Sequence, residues 1–115
     1  MNELRFASAK TMAKAIIDGR TSSREMVQAC IERIEKVNPE LNAVVQMDAE
    51  AAITEAAKLD DELAAGHSRG PLHGVPMTIK DNLDTAGMIT TGGTKGRVAF
   101  VPEKDATVVK RLRDA

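Results

Sequence analysis

The sequence predicts an α/β fold, and two observations carry this prediction. Over residues 1–66, apolar side chains recur at helical spacing between residues that commonly cap helices. Over residues 67–115, glycine and proline become frequent, and short extended stretches alternate with turns. We therefore expect one domain, 1–115, that is mainly helical over 1–66. The 67–115 part is predicted to hold a strand, a Gly/Thr loop and the start of a helix.

Two helices are predicted first, because both have clear capping signals. Ser8 is a typical N-cap, and Gly19 is typical of the residue just past a helix end. Ser22 and Glu25 have the spacing of a capping box at the start of the second helix. We expect Asn38–Pro39 to end this helix, since the residue before proline is disfavoured in the helical region. The two helices are expected to form an antiparallel pair.

The remaining elements follow in order along the chain. Residues 41–47 are a short strand candidate, and Asp48 then caps an alanine-rich third helix that Gly66 closes. Residues 75–80 (VPMTIK) are predicted to form a strand between turn residues. Asp105 is expected to cap a last helix.

Composition excludes several classes of protein. The 16 basic and 17 acidic residues nearly balance, so there is no electrostatic reason to expect a nucleic-acid or membrane partner. Aromatic residues make up 2% of the chain, with no Trp or Tyr, which leaves no platform for stacking bases. One cysteine forms no internal disulfide, and no apolar run approaches the roughly 20 residues that span a bilayer. We expect a cytoplasmic protein.

Lys80 is the residue that the pattern singles out for chemistry. At the carboxyl end of the predicted strand, it lies where open α/β sheets bind their ligands. Alternation along the strand places Asp81 on the opposite side, so Asp81 is not the expected ion-pair partner. Burial among apolar side chains would disfavour the charged ammonium and make Lys80 a usable base near neutral pH. The alternative is an ordinary surface lysine at a strand end.

Other candidate sites are weaker. The Gly/Thr loop at 87–96 lacks the lysine and hydroxyl order of a phosphate-binding P-loop, so both a binding loop and a plain turn cluster stay open. His67, His73 and Cys30 have neither the number nor the spacing of metal ligands, so no metal and no cofactor is expected. We expect His73 to be a hydrogen-bonded residue of a tight turn and Cys30 to be a small core residue.

The segment at 70–82, GPLHGVPMTIKDN, closely resembles the opening motif of the amidase signature family. We call it the 70–82 motif. The likeness spans nearly the whole chain, with matching segments at 38–43, 84–87, 90–94 and 102–109. The resemblance implies a mixed sheet sandwiched by helices. This chain would supply the N-terminal helices and the first strands of that sheet, so the fold would be incomplete here.

The resemblance also implies an activity. Enzymes of this family hydrolyse amides, or transfer the ammonia released, through a Ser–cisSer–Lys triad whose lysine corresponds to Lys80. In that mechanism the neutral lysine accepts a proton through a bridging serine, which activates the nucleophilic serine. Backbone N–H groups form an oxyanion hole for the tetrahedral intermediate.

The chain departs from the family pattern in its serines. The two triad serines and the oxyanion loop belong to a Gly/Ser-rich segment of the family, and no such segment is present. The serines of this chain are Ser8, Ser22, Ser23 and Ser68. We therefore expect an amino-terminal fragment of an amidase that contributes only the lysine base and is inactive alone.

Two alternatives stay open. The parent protein is either an amidase or the amidase-like subunit of a tRNA-dependent amidotransferase, and nothing in these residues separates the two. The other alternative is a non-catalytic helical interaction module. The expected partners are a small-molecule amide substrate and the remainder of the amidase chain, with a homodimer open. The residues do not indicate which amide is the substrate.

Overall fold

The structure, a computed structural model, describes residues 3–115. All regular secondary structure in this range is helical. The four α-helices are α1 (Ala9–Ile17), α2 (Ser23–Leu41), α3 (Ala49–Ala64) and α4 (Thr107–Asp114), and two short 3₁₀ helices cover Leu4–Phe6 and Lys95–Arg97. The chain divides into two compact units. The first comprises the chain up to Val44, Asp48–Pro76 and Ala115, and the second comprises Val45–Met47 and Met77–Asp114.

The predicted α/β fold is therefore wrong for this chain, because no described residue lies in a strand. A strand needs a neighbour that completes its ladder of backbone hydrogen bonds. At 41–47, Leu41 belongs to α2, and the Val44 backbone bonds the Asn38 side chain instead of a second strand. At 75–80, the Val75 N–H donates to the Leu72 carbonyl in a turn, and no described segment pairs with the residues that follow.

The predicted helix starts in the first unit are confirmed. The Ser8 side chain accepts from the Thr11 N–H at the start of α1. Ser22 and Glu25 form the expected capping box at the start of α2, with each side chain accepting from the other residue's backbone N–H. Asp48 caps α3 by accepting from the Ala51 N–H at 2.9 Å. These caps depend on residues three apart in sequence, which is why the local pattern predicts them.

The end of α2 differs from the prediction. The helix continues through Pro39 to Leu41, and Asn42 ends it in the left-handed conformation, with φ +48°. In the last turn, proline removes one helical hydrogen bond instead of interrupting a long ladder. The Asn38 side chain compensates, because its amide donates to the Val44 carbonyl and its oxygen accepts from the Val44 N–H, both at 2.8 Å.

The helix that packs along α2 is α3, whereas we expected α1. Val27 and Ile31 of α2 form an apolar cluster with Ala56 of α3, and Ala49 and Ile53 pack against it. The Asp60 carboxylate accepts the backbone N–H groups of Ser23 at 2.7 Å and Arg24 at 3.0 Å. A carboxylate there satisfies unpaired amides at the start of α2 and complements its dipole. Because Asp60 lies near the end of α3, the two helices run antiparallel.

The second unit consists mostly of hydrogen-bonded loops around α4. Val109 of α4 is fully buried. The Asp105 carboxylate, which we expected to cap α4, accepts from the Ala86 N–H at 2.8 Å and lies 2.9 Å from Arg113 Nε. Asp105 therefore ties the loop at Ala86 to this unit's own helix.

Candidate active site around Lys80

Lys80 lies at the start of a turn in the second unit. Its backbone carbonyl accepts from the Leu83 N–H at 3.0 Å. The side chain is exposed, and within the described residues its amine has no hydrogen bond and no ion pair. The apolar surroundings that we expected around the amine are therefore not supplied by residues 3–115. The amine of Lys80 is therefore accessible to groups other than the described residues.

Asp81, the next residue, binds Thr91 through both carboxylate oxygens. Oδ1 accepts from the Thr91 N–H at 3.0 Å, and Oδ2 accepts from the Thr91 hydroxyl. The backbone carbonyl of Asp81 also accepts from the Gly92 N–H at 2.8 Å. The Thr91 hydroxyl, followed by the Thr91 N–H, lowers the pKa of Asp81, because both donate to its ionised form. We call this group of contacts the Asp81–Thr91 clamp.

The clamp gives the Gly/Thr loop a defined conformation. The Thr91 hydroxyl also accepts from the Gly93 N–H at 3.0 Å. Gly92 and Gly93 have φ of +60° and +75°, a region that glycine adopts without a steric penalty. The Asp81 residue, which follows Lys80, thus holds this loop through its hydrogen bonds to Thr91 and Gly92. Sequence reasoning left this loop open and missed its link to Asp81, because residues 81 and 91 are ten apart in a region without periodicity.

Two buried threonines, Thr85 and Thr90, hold the chain between Asp81 and Thr91, the two residues of the clamp. The Thr85 hydroxyl donates to the Leu83 carbonyl at 3.1 Å, and the Thr90 hydroxyl donates to the Met88 carbonyl at 3.2 Å. The Thr90 hydroxyl also accepts from the Thr85 N–H at 3.4 Å. These bonds satisfy polar groups that would otherwise be buried without partners. They fix the segment that follows Lys80.

The first part of the 70–82 motif lies in the other unit and has a structural role. His73 is buried; its Nδ1 accepts from the Arg69 N–H at 3.0 Å and its Nε2 donates to the Leu59 carbonyl at 2.9 Å. The expected hydrogen-bonded histidine is confirmed. Arg69 binds Glu62 and Glu55 at 2.6 and 2.8 Å, and its hydrogen bond to Glu62 lowers the pKa of that carboxyl group. Pro76 ends this unit and Met77 begins the next, so the unit boundary divides the motif.

The remaining candidates form no metal-binding cluster among the described residues. Cys30 is half-buried on α2, and burial raises the pKa of its thiol. Within residues 3–115, no three or more His, Cys, Asp or Glu side chains cluster as metal ligands. None of the helices described here is long and apolar enough to cross a membrane.

The serines all lie in the first unit and have structural partners. Ser8 and Ser22 cap helices, the Ser23 hydroxyl donates to the Gly74 carbonyl at 2.8 Å, and the Ser68 hydroxyl donates to the Gly70 carbonyl at 3.3 Å. None of the four is in the unit that contains Lys80.

Comparison with known proteins decides the family. The Amidase family model matches residues 25–115, which is well over half of the chain and includes Lys80 and both residues of the clamp. The chain belongs to the amidase family. It is 42% identical over 112 residues to an acylamidase of Rhodococcus erythropolis. It is 41% identical over 115 residues to a glutamyl-tRNA(Gln) amidotransferase subunit of Acidothermus cellulolyticus.

Solved structures of the family superpose on most of the chain. Peptide amidase from Stenotrophomonas maltophilia gives a TM-score of 0.86 at 36% identity, covering 94% of this chain and 22% of the amidase. The two sequence relatives are matched over 97% and 100% of this chain but over only 24% and 23% of their own lengths. The chain thus spans about a quarter of the length of these relatives.

Proposed function

We propose that the protein to which these residues belong hydrolyses carboxylic amides to an acid and ammonia or an amine. Lys80 would act as the base of a Ser–cisSer–Lys triad. The observation that carries the proposal is the place of Lys80 in the 70–82 motif, inside the region that the Amidase model matches. Its amine makes no bond to the described residues and is exposed.

The proposed chemistry assigns the amine one task. Neutral Lys80 accepts a proton from a bridging serine, which in turn accepts the proton of the nucleophilic serine. The nucleophile adds to the amide carbonyl, the proton held by Lys80 passes through the bridging serine to the leaving nitrogen, and the C–N bond breaks to release the amine. Water then hydrolyses the acyl-enzyme and restores the nucleophilic serine. Both serines would come from a part of the protein outside this sequence. That part would also supply the apolar surroundings that favour the neutral amine, since the residues described here leave it exposed.

The test is substitution of Lys80 in the full-length protein. Lys80→Met should lower kcat for simple aryl and aliphatic amides by about a thousandfold, in the range that removal of a general base costs. Lys95→Met is the matched control, because Lys95 is also exposed and lies in the same unit. Both variants should keep the wild-type melting temperature. Lys80→Met with more than a tenth of wild-type activity would refute the assignment of Lys80 as the base.

A second candidate is the amidase-like subunit of a tRNA-dependent amidotransferase. The observation that favours it is 41% identity over 115 residues to the glutamyl-tRNA(Gln) amidotransferase subunit of Acidothermus cellulolyticus. Hydrolysis of simple amides by the purified protein alone would support the amidase. Ammonia transfer to Glu-tRNA(Gln) that requires co-purifying subunits would support the amidotransferase. Lys80 has the same proposed role in both.

We also propose a cytoplasmic location: this chain has one cysteine and so forms no internal disulfide of the kind that is common in secreted proteins. A fusion to a fluorescent protein tests it by microscopy. A homodimer is the simplest assembly, and light scattering on the full-length protein distinguishes it from a monomer.

A further inference from the structure

Lys80 and Asp81 are neighbours of opposite charge that do not bind each other. Both carboxylate oxygens of Asp81 accept from Thr91, while the Lys80 amine has no partner among residues 3–115. We infer that Asp81 and Thr91 are positioning residues for Lys80: their clamp fixes the backbone that presents the lysine and keeps the adjacent carboxylate from pairing with its amine. This inference rests on the proposed role of Lys80 as a base.

The backbone part of the argument is geometric. The Leu83 N–H donates to the Lys80 carbonyl at 3.0 Å, and the Gly92 N–H donates to the Asp81 carbonyl at 2.8 Å. Together with the side-chain bonds of Asp81, these contacts join the turn after Lys80 to the 91–93 segment as one block. A lysine side chain has four rotatable bonds, so a fixed backbone is the main restraint on where its amine can reach.

The electrostatic part of the argument concerns the Asp81 carboxylate, which the clamp keeps from pairing with the Lys80 amine. A carboxylate within about 4–6 Å of an amine favours the charged ammonium, and an ammonium accepts no proton. Thr91 holds both oxygens of Asp81 with its hydroxyl and its N–H. Arg97 adds a positive charge near Asp81, and Asp84 binds Arg97 at 2.9 Å. Loss of the Thr91 hydroxyl therefore frees Oδ2 of Asp81, the residue next to Lys80 in sequence.

The kinetic test uses the full-length protein. Thr91→Val removes the hydroxyl and keeps the N–H, Thr91→Ser keeps both donors, and Thr94→Val is the matched control. Thr94 is exposed in the same loop, and its hydroxyl makes no hydrogen bond to the residues that the structure describes. We expect Thr91→Val to lower kcat about tenfold and to change KM less than about twofold. The acidic limb of the pH profile of kcat/KM should move to higher pH by up to about one unit. Thr91→Ser and Thr94→Val should match the wild type.

A second measurement does not depend on activity. Competitive acetylation with acetic anhydride, read by peptide mass spectrometry, reports the neutral fraction of each lysine. At about pH 8, Thr91→Val should lower the labelling rate of Lys80 relative to Lys95 by about three- to tenfold, since one pKa unit is a factor of ten. In the Asp81→Asn/Thr91→Val double variant the rate should return to the wild-type value, because no carboxylate is left to release.

The outcomes separate the two proposals. Unchanged Lys80 labelling and unchanged kcat in Thr91→Val would overturn the positioning role, while inactive Lys80→Met would still support Lys80 as the base. Active Lys80→Met would refute the base, and the labelling experiment would still decide whether the clamp acts on Lys80. If Thr91→Val fails to fold, Asp81→Asn with reduced Lys80 labelling would overturn the inference, because that variant removes the only charge that the clamp restrains.

Discussion

Ser23, at the start of α2, and Gly74, in the 70–82 motif, touch so closely that no side chain fits between them. The Ser23 hydroxyl donates to the Gly74 carbonyl at 2.8 Å, and a Cβ placed on Gly74 would lie 2.9 Å from Ser23 Cβ and 3.3 Å from Ile16 Cδ1. Gly74 also has φ +78°, where residues with a side chain are strained. The helices and the motif are thus joined at a position that accepts only glycine.

Gly74→Ala should therefore destabilise the first unit strongly. Left-handed backbone costs about 1–2 kcal/mol and overpacking about 1–3 kcal/mol, so we expect the free energy of unfolding to fall by about 2–5 kcal/mol. Urea denaturation followed by circular dichroism measures this change. Gly66→Ala is the matched control, since Gly66 has φ +85° but nothing within 4 Å of an added Cβ, and it should cost only about 1–2 kcal/mol. Equal losses in both variants would contradict the close approach.

His73→Phe should destabilise the same unit without a large change in side-chain volume. Phenylalanine makes neither hydrogen bond of His73, so the Arg69 N–H and the Leu59 carbonyl lose their partner. We expect a loss of about 2–4 kcal/mol, since each buried unsatisfied group costs about 1–3 kcal/mol. His67→Phe, at an exposed position of the same connection, should change the free energy of unfolding by less than about 0.5 kcal/mol. A loss no larger than this control would show that the two bonds contribute little.

Stability should decrease in acid. The Ser22 N–H, the Arg69 guanidinium and the Thr91 hydroxyl lower the pKa values of Glu25, Glu62 and Asp81, respectively, below the ordinary 4.5 and 3.8 of glutamate and aspartate. The unfolded chain then binds protons at higher pH than the folded chain. The stabilisation is present above the ordinary values and is lost as pH falls through the folded ones.

Urea denaturation at pH values between about 3 and 7 tests this. The midpoint should fall as the pH drops below about 5. Glu62→Gln should reduce the slope in acid, because Glu62 then no longer titrates against Arg69. A midpoint that rises on acidification would contradict the direction of all three pKa shifts.

The 115-residue chain alone should not hydrolyse amides. Its four serines are in the first unit, where they cap helices or bond the carbonyls of Gly70 and Gly74, and acyl transfer requires a nucleophile beside the base. Release of p-nitroaniline from simple anilides is a sensitive measurement, with the full-length protein as the positive control. Turnover by the purified chain that Lys80→Met abolishes would contradict this prediction.

Local sequence signals predicted the helices well. The starts at Ser8, Ser22 and Asp48 follow from side chains that bind backbone groups three residues on, so a short window contains all the necessary information. The predicted end of α2 at Asn38–Pro39 was wrong for a related reason. The rule on the residue before proline is also local, but here the Asn38 side chain reaches Val44 and compensates for Pro39.

Non-local features were not predictable in the same way. A strand exists only with a partner, so 41–47 and 75–80 have suitable residues but no ladder within the described chain. The 70–82 motif identified Lys80 through its resemblance to the family, while the pattern left both a buried base and a surface lysine open. Among the described residues the Lys80 side chain is exposed. The clamp was missed because no spacing rule relates a carboxylate at 81 to a threonine at 91. Hydrogen bonds between side chains and backbone across an irregular loop follow no sequence spacing and are seen only in the structure.

The unit boundary at Pro76–Met77 divides the 70–82 motif into a structural part and a part with a proposed catalytic role. Before the boundary, Gly74 and His73 fasten the chain to the helices; after it, Lys80 and Asp81 belong to the proposed chemistry. Damage to the earlier part would show as poor yield of folded protein with normal turnover per intact molecule. Damage to the later part would show as well-folded protein that turns over slowly.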